Sequence, residues 1–195
     1  MPSRVSLKTV TLSGLVARRR VPYVSTMRNP LIPTLVLALA LPAAALAQQS
    51  GAPVATSIGV FGDWQAATYV DAGQTVCYAF TRPLVGGKPT TSPGEPVLSI
   101  AERPTIRDAV AIAAGFTYPS GAVVPVTIGN VKQDFYTSGS SAFSRDGSAL
   151  VGPMKNGSEL SSVAPGPGRG STTNHFSLKG FTAAYDAIVK ACPGR

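Results

Sequence analysis

Charge, cysteine, histidine and tryptophan are all scarce in this chain. Of its 195 residues only 13% are charged, two are cysteine, one is histidine and one is tryptophan. Low charge beside 44% hydrophobic residues excludes a solvated, disordered chain and suits one globular domain. One histidine and two distant cysteines make a poor metal-ligand set. There is no Gly-rich phosphate loop and no G-x-S-x-G turn to expose a nucleophilic serine. A membrane span is also missing, because the apolar stretch Leu31 to Leu41 is broken by Pro33, closed by Pro42 and short of roughly 20 residues.

The formal charge of +8 invites a nucleic-acid reading, and its distribution argues against one. Six of the 17 basic residues precede residue 48, and all nine acidic residues follow it. From Gln48 onward 11 basic residues face nine acidic ones with no basic cluster, so the electrostatic footprint of a nucleic-acid binder is lacking.

Before Gln48 the pattern is that of a secretory signal. Arg28 supplies a positive start, Leu31 to Leu41 an apolar centre, and Ala45-Leu46-Ala47 a small-residue cleavage site, so cleavage is expected between Ala47 and Gln48. Residues 1–47 therefore read as an upstream extension followed by a signal proper at 27–47. Residues 48–58 read as a flexible mature N-terminus and 59–195 as one domain. Such a chain works in the periplasm or at the cell surface, with no transmembrane anchor after cleavage.

Export bears on the two cysteines. In an oxidising compartment Cys77 and Cys192 are expected to form a disulfide, and the alternative is a free nucleophilic thiol. The C-terminal segment supports the pairing, since Phe181, Ala184, Tyr185, Ile188 and Cys192 recur at helical spacing on one face. A helix over about 180–192, docked on a sheet through Phe181, Tyr185 and Ile188, would carry Cys192 to Cys77.

The rest reads as short strands. Gln65 to Val70 and Gln74 to Thr81 flank the turn Asp71-Ala72-Gly73 as a hairpin, and Arg82 to Gly94 reads as an aperiodic loop. Pro96 to Glu102 alternates, Val110 to Phe116 is nearly continuous in apolar residues and suits a strand between layers, and Pro125 suits an edge strand. Asp146-Gly147 fits either a hairpin turn or the cap of a short helix. Asn156-Gly157-Ser158 is formally a glycosylation sequon. Trp64 reads as a core anchor, with ligand stacking as the alternative. Asp186 and Lys190 are spaced for a solvent-side ion pair. Together these features predict a mainly β fold, a β-sandwich with a C-terminal helix packed on it.

Several motifs resemble the invasion-associated locus B family of exported alphaproteobacterial proteins. They are Phe61-Gly62-Asp63-Trp64 before Cys77-Tyr78-Ala79, Ile128-Gly129 with Phe135, Met154-Lys155-Asn156-Gly157, and above all Phe176-Ser177-Leu178-Lys179-Gly180-Phe181 leading to Cys192. The resemblance implies an immunoglobulin-like sandwich, a cell-envelope location and contact with an unknown protein or envelope partner, linked in some members to host-cell entry. It implies no catalytic residue, cofactor or metal.

A catalytic alternative would use His175 as general base to a serine, oriented by Asp63, Asp108 or Asp134, or would pair it with a cysteine thiolate. Glu95 and Glu102 form no recognisable glycosidase pair. A small-ligand carrier with Trp64 or Tyr136 in a pocket is a third possibility.

Overall fold

The computed structural model describes residues 54–166, 168 and 170–194. The expected cleavage at Ala47 and Gln48, and the signal segment before it, lie outside the described residues. Ten strands form one antiparallel sheet. In chain order they are β1 (Thr56–Phe61), β2 (Trp64–Asp71), β3 (Gln74–Thr81), β6 (Val97–Glu102), β7 (Ala109–Ala113), β8 (Val123–Ile128), β9 (Val131–Ser138), β10 (Ser141–Phe143), β11 (Glu159–Pro165) and β12 (Ser171–Ser177). A small hairpin of β4 (Leu84–Val85) and β5 (Lys88–Pro89) stands apart. Two helices complete the elements of the described residues, α1 (Ser148–Asn156) and α2 (Phe181–Ala191).

The fold is mainly β with a C-terminal helix on the sheet, as expected. The strand order is β1-β2-β3-β6-β7-β10-β9-β8-β11-β12, so both halves are continuous through the short β7–β10 ladder. Inward side chains of both halves meet in one buried cluster: Trp64, Cys77, Leu98, Ile100 and Ile112 from the first half, and Val124, Phe135, Leu160 and Phe176 from the second. The far edge returns towards β3 by a lone bridge between Pro83 and Phe176, which leaves the sheet short of a closed barrel.

Local chemistry explains several elements. Asp71 and Gln74 pair at the end of the β2–β3 hairpin, and Ala72 and Gly73 between them both take positive φ, the geometry of a tight hairpin turn. Asp146 caps α1: its Oδ1 accepts from the Ala149 N–H at 3.1 Å and from the Ser148 hydroxyl at 2.8 Å. Of the two expectations for this stretch, the helix forms, and it runs through Pro153.

Five expectations need correction. Residues 56–58 belong to β1 rather than to a flexible N-terminus, because Thr56 and Ser57 pair with β2 and Ile58 sits at the bulge before Gly59 resumes the pairing. The stretch 82–94 contains the β4–β5 hairpin, which turns at Gly86 and Gly87, both at positive φ. Pro125 lies in an interior strand between β9 and β11; β11 pairs only with Val126 and Thr127, so the missing N–H of Pro125 interrupts no ladder bond there. The run from Val110 is buried on one face only: Val110 and Ile112 are buried, while the small Ala111 and Ala113 face outward. Asp186 pairs with Lys155 of α1 at 2.9 Å and not with Lys190, so the contact joins two helices.

Candidate functional site

Cys77 and Cys192 are joined by a disulfide, with Cα atoms 5.9 Å apart and a sequence separation of 115. Cys77 stands on the inward face of β3, and α2 packs against β1, β2, β3 and β6. Phe181, Ala184 and Ile188 are fully buried, Tyr185 is half-buried and Cys192 is buried just past the helix end. No free thiol stands among the described residues, which removes the basis for a Cys-His enzyme.

The motif residues converge on the start of α2. Phe176 and Leu178 are buried, and Leu178 receives the Phe181 N–H at 3.0 Å. Trp64 is fully buried, donates its indole N–H to the Ser177 carbonyl at 2.9 Å and meets the Phe181 ring edge-on at 5.0 Å. Such a tryptophan has no face for a ligand, so the structure corrects the carrier reading at Trp64. Tyr136 is half-exposed on the outer face, with the Arg145 guanidinium 4.8 Å over its ring.

Beside the disulfide lies a charged cluster that the sequence reading did not assemble. Glu102, the cross-strand partner of Cys77, is fully buried. Its Oε1 accepts from the Asp108 N–H at 3.2 Å, and Arg107 Nε lies 2.7 Å from Oε2, out of line for a hydrogen bond, so that contact is a charge pair. Arg107 also donates to the Cys192 carbonyl at 2.6 Å, and Tyr185 donates its hydroxyl to Asp108 Oδ1 at 2.7 Å. Burial, followed by the neighbouring Asp108, pushes the Glu102 carboxyl up to about 7 against the lowering pull of Arg107. Burial and the Asp108 carboxylate likewise push the Tyr185 phenol well above its usual range. One signal for this cluster was in the sequence: Glu102 continues the parity of Leu98 and Ile100, which places a carboxylate on the inward face.

The hydrolase constellation does not assemble. His175 is exposed on β12, with Nδ1 2.7 Å from Glu159 Oε1. Ser161 stands opposite it in register, but among the described residues no hydrogen bond joins the two, and neither residue lines a depression described below. Asp63, Asp108 and Asp134 have other neighbours: Asp63 Oδ2 takes the Ser177 hydroxyl at 2.6 Å, Asp108 takes Tyr185, and Asp134 is exposed opposite Pro125. Glu95 lies in the loop before β6 and Glu102 is sealed in the core at its far end, so they flank no common cleft.

The outer face of β2, β3 and β6 carries two adjoining depressions that share Phe80. The first, of 380 Å³, is lined by Tyr69, Val76, Tyr78, Phe80, Val97 and their neighbours. Tyr78 stacks on Phe80 at 5.8 Å, and Tyr69 meets Tyr78 edge-on at 5.5 Å. At its end Arg103 pairs with Asp71 at 2.9 Å and reaches the Tyr69 hydroxyl at 3.4 Å. On the other side of Phe80, Asp63, Gln65, Arg82, Thr90 and Thr91 line the second, of 320 Å³.

No family model matches this chain, and no curated protein sequence matches it. Among solved structures it is similar to the crystal structure of invasion associated protein B from Bartonella henselae, at 15% identity over 70% of this chain and 96% of that chain, with a TM-score of 0.49.

Proposed function

We propose that this chain is an exported, non-catalytic interaction protein of the cell envelope, working in the periplasm or at the surface and reaching a host-cell or envelope partner through its sheet. The observation that carries the reading is the Cys77–Cys192 disulfide. It uses the only two cysteines of the chain, and such bonds persist in oxidising compartments. The basic start, apolar centre and Ala45-Leu46-Ala47 ending of the first 47 residues support the same compartment. The motifs from Phe61 to Trp64 and from Phe176 to Phe181, which suggest the invasion-associated locus B family, converge on packing: Trp64, Phe176 and Phe181 are fully buried, and Trp64 bonds to the Ser177 carbonyl. That favours binding over catalysis.

The test is the intact mass of the protein recovered from its native envelope fraction, with thiol alkylation before and after reduction. A chain beginning at Gln48 whose two cysteines alkylate only after reduction is expected. An unprocessed chain with two free thiols would overturn the reading.

A further inference from the structure

We infer that the paired depressions on either side of Phe80 form a binding site for a neutral oligosaccharide chain. The site deepens the reading of this chain as a binding protein, and it does not depend on export.

The argument begins with the faces of the strands. In β3 Cys77, Ala79 and Thr81 share the inward face, so by parity Val76, Tyr78 and Phe80 lie on the outer one, where Val76 is covered and the two rings are partly open. An outward sheet face is usually polar. Here it presents three aromatic rings that pack on one another while remaining partly open to solvent. Each depression, at 380 and 320 Å³, lies near the lower end of the ~300–1,000 Å³ of small-molecule sites. The two are joined along Phe80, which suits a linear ligand with more than one ring.

The polar groups narrow the chemistry. At one end Asp71 is paired with Arg103. At the other, Asp63 and Arg82 line the same depression with Gln65, Thr90 and Thr91. The second depression thus holds one carboxylate and one guanidinium, and the first is bordered, beyond its Tyr69, by one such pair, so opposite charges are balanced beside both. An acyl chain would shield these groups from water and offer them no hydrogen bond in return. A pyranose chain satisfies both kinds of surface: its C–H faces lie against aromatic rings, and its hydroxyls give and take hydrogen bonds at carboxylate, guanidinium, amide and threonine. Asp63 is already held for this, because its Oδ2 accepts from Ser177 and its N–H donates to Lys179 at 3.0 Å. A fixed carboxylate loses little freedom when a ligand binds.

The experiment titrates the oxidised chain with cellotetraose, maltotetraose and chitotetraose, using calorimetry and saturation-transfer NMR. At least one should bind with a Kd below ~1 mM. That binding should weaken at least about ten-fold both in Phe80→Ala and in the milder Phe80→Leu, and also in Arg82→Ala, with circular dichroism checking that each variant is folded. Val131→Ser, on β9, should leave it unchanged. Failure of all three sugars to bind at ~10 mM overturns the site, as does binding indifferent to Phe80 and Arg82. Tighter binding of laurate, or of a sulfated tetrasaccharide, than of any neutral one would overturn the assignment of ligand. A correctly exported, oxidised chain that binds no sugar removes this site and leaves the envelope reading standing.

Discussion

Gly180 runs so close to the carbonyl oxygen of Phe61 that any side chain on it would collide with backbone. It also holds φ at +92°, outside the usual range of residues with a Cβ. On the other strand, Gly62 at φ +59° is pressed against the Lys179 carbonyl, and Asp63 donates to that carbonyl. The two sequence motifs are therefore two sides of one backbone contact, which fixes where α2 starts. Gly180→Ala should cost about 2–5 kcal/mol, combining strained φ with overpacking. The contrasting change is Gly139→Ala in the turn between β9 and β10, where φ is also positive, at +57°, but no residue beyond the chain neighbours lies within 4 Å of an added Cβ. It should cost only about 1 kcal/mol, from the backbone strain alone. Urea midpoints of both variants check the pair; equal shifts would show that the close approach carries no weight.

The disulfide closes a loop with a sequence separation of 115, spanning nearly all the described strands. Chain entropy for such a loop gives about 5 kcal/mol of stabilisation. Changing both cysteines to alanine should lower the guanidinium midpoint accordingly, and reduction of the native protein should give a similar loss. A variant as stable as the oxidised parent would mean that α2 holds its place by apolar packing alone.

Much of this architecture was legible because periodicity and turn chemistry act locally. The face of α2 and the β2–β3 hairpin follow directly from spacing and from Ala72-Gly73. What remained hidden is pairwise and non-local. Spacing on α2 puts Asp186 next to Lys190, and only the packing of α1 brings Lys155 closer. Pro125 signals an edge, and its tolerance in an interior strand depends on where β11 stops pairing. The outer aromatic face was present as Tyr69, Tyr78 and Phe80, but the register of β2 on β3 is what sets the rings together.

Tyr185 joins apolar packing to charge: its ring stacks on Phe181 at 5.8 Å, and its hydroxyl ends at a carboxylate. It donates to Asp108, which itself sits at φ +52°, a conformation costly for a residue other than glycine. Tyr185→Phe should destabilise by about 1–2 kcal/mol, because it leaves a partly buried carboxylate short of a donor. Asp186→Ala, which removes the solvent-side contact to Lys155, should cost less than about 0.5 kcal/mol. Thermal unfolding of the two variants gives the comparison, and a larger effect for Asp186 would sink it.

Glu102 makes the fold sensitive to pH in a specific direction. Its carboxyl is raised from 4.5 to about 7 in the folded chain, so between those values the folded state binds a proton that the unfolded state has released. Stability then falls as pH rises through this window: the contribution is full below pH 4.5 and lost above about 7. The whole effect is at most about 3 kcal/mol, from 1.36 kcal/mol per unit. The usual acid destabilisation of paired carboxylates acts in the opposite sense and belongs to lower pH. Glu102→Gln keeps the shape and the acceptor for the Asp108 N–H while removing the proton. It should flatten the stability profile between roughly pH 5 and 8, even if it lowers stability overall by leaving Arg107 uncompensated. Chemical denaturation of the oxidised chain across that range, with His175→Gln as a control for the only histidine, measures the slope. If Glu102→Gln retains the full slope, the pH dependence does not come from the buried carboxylate.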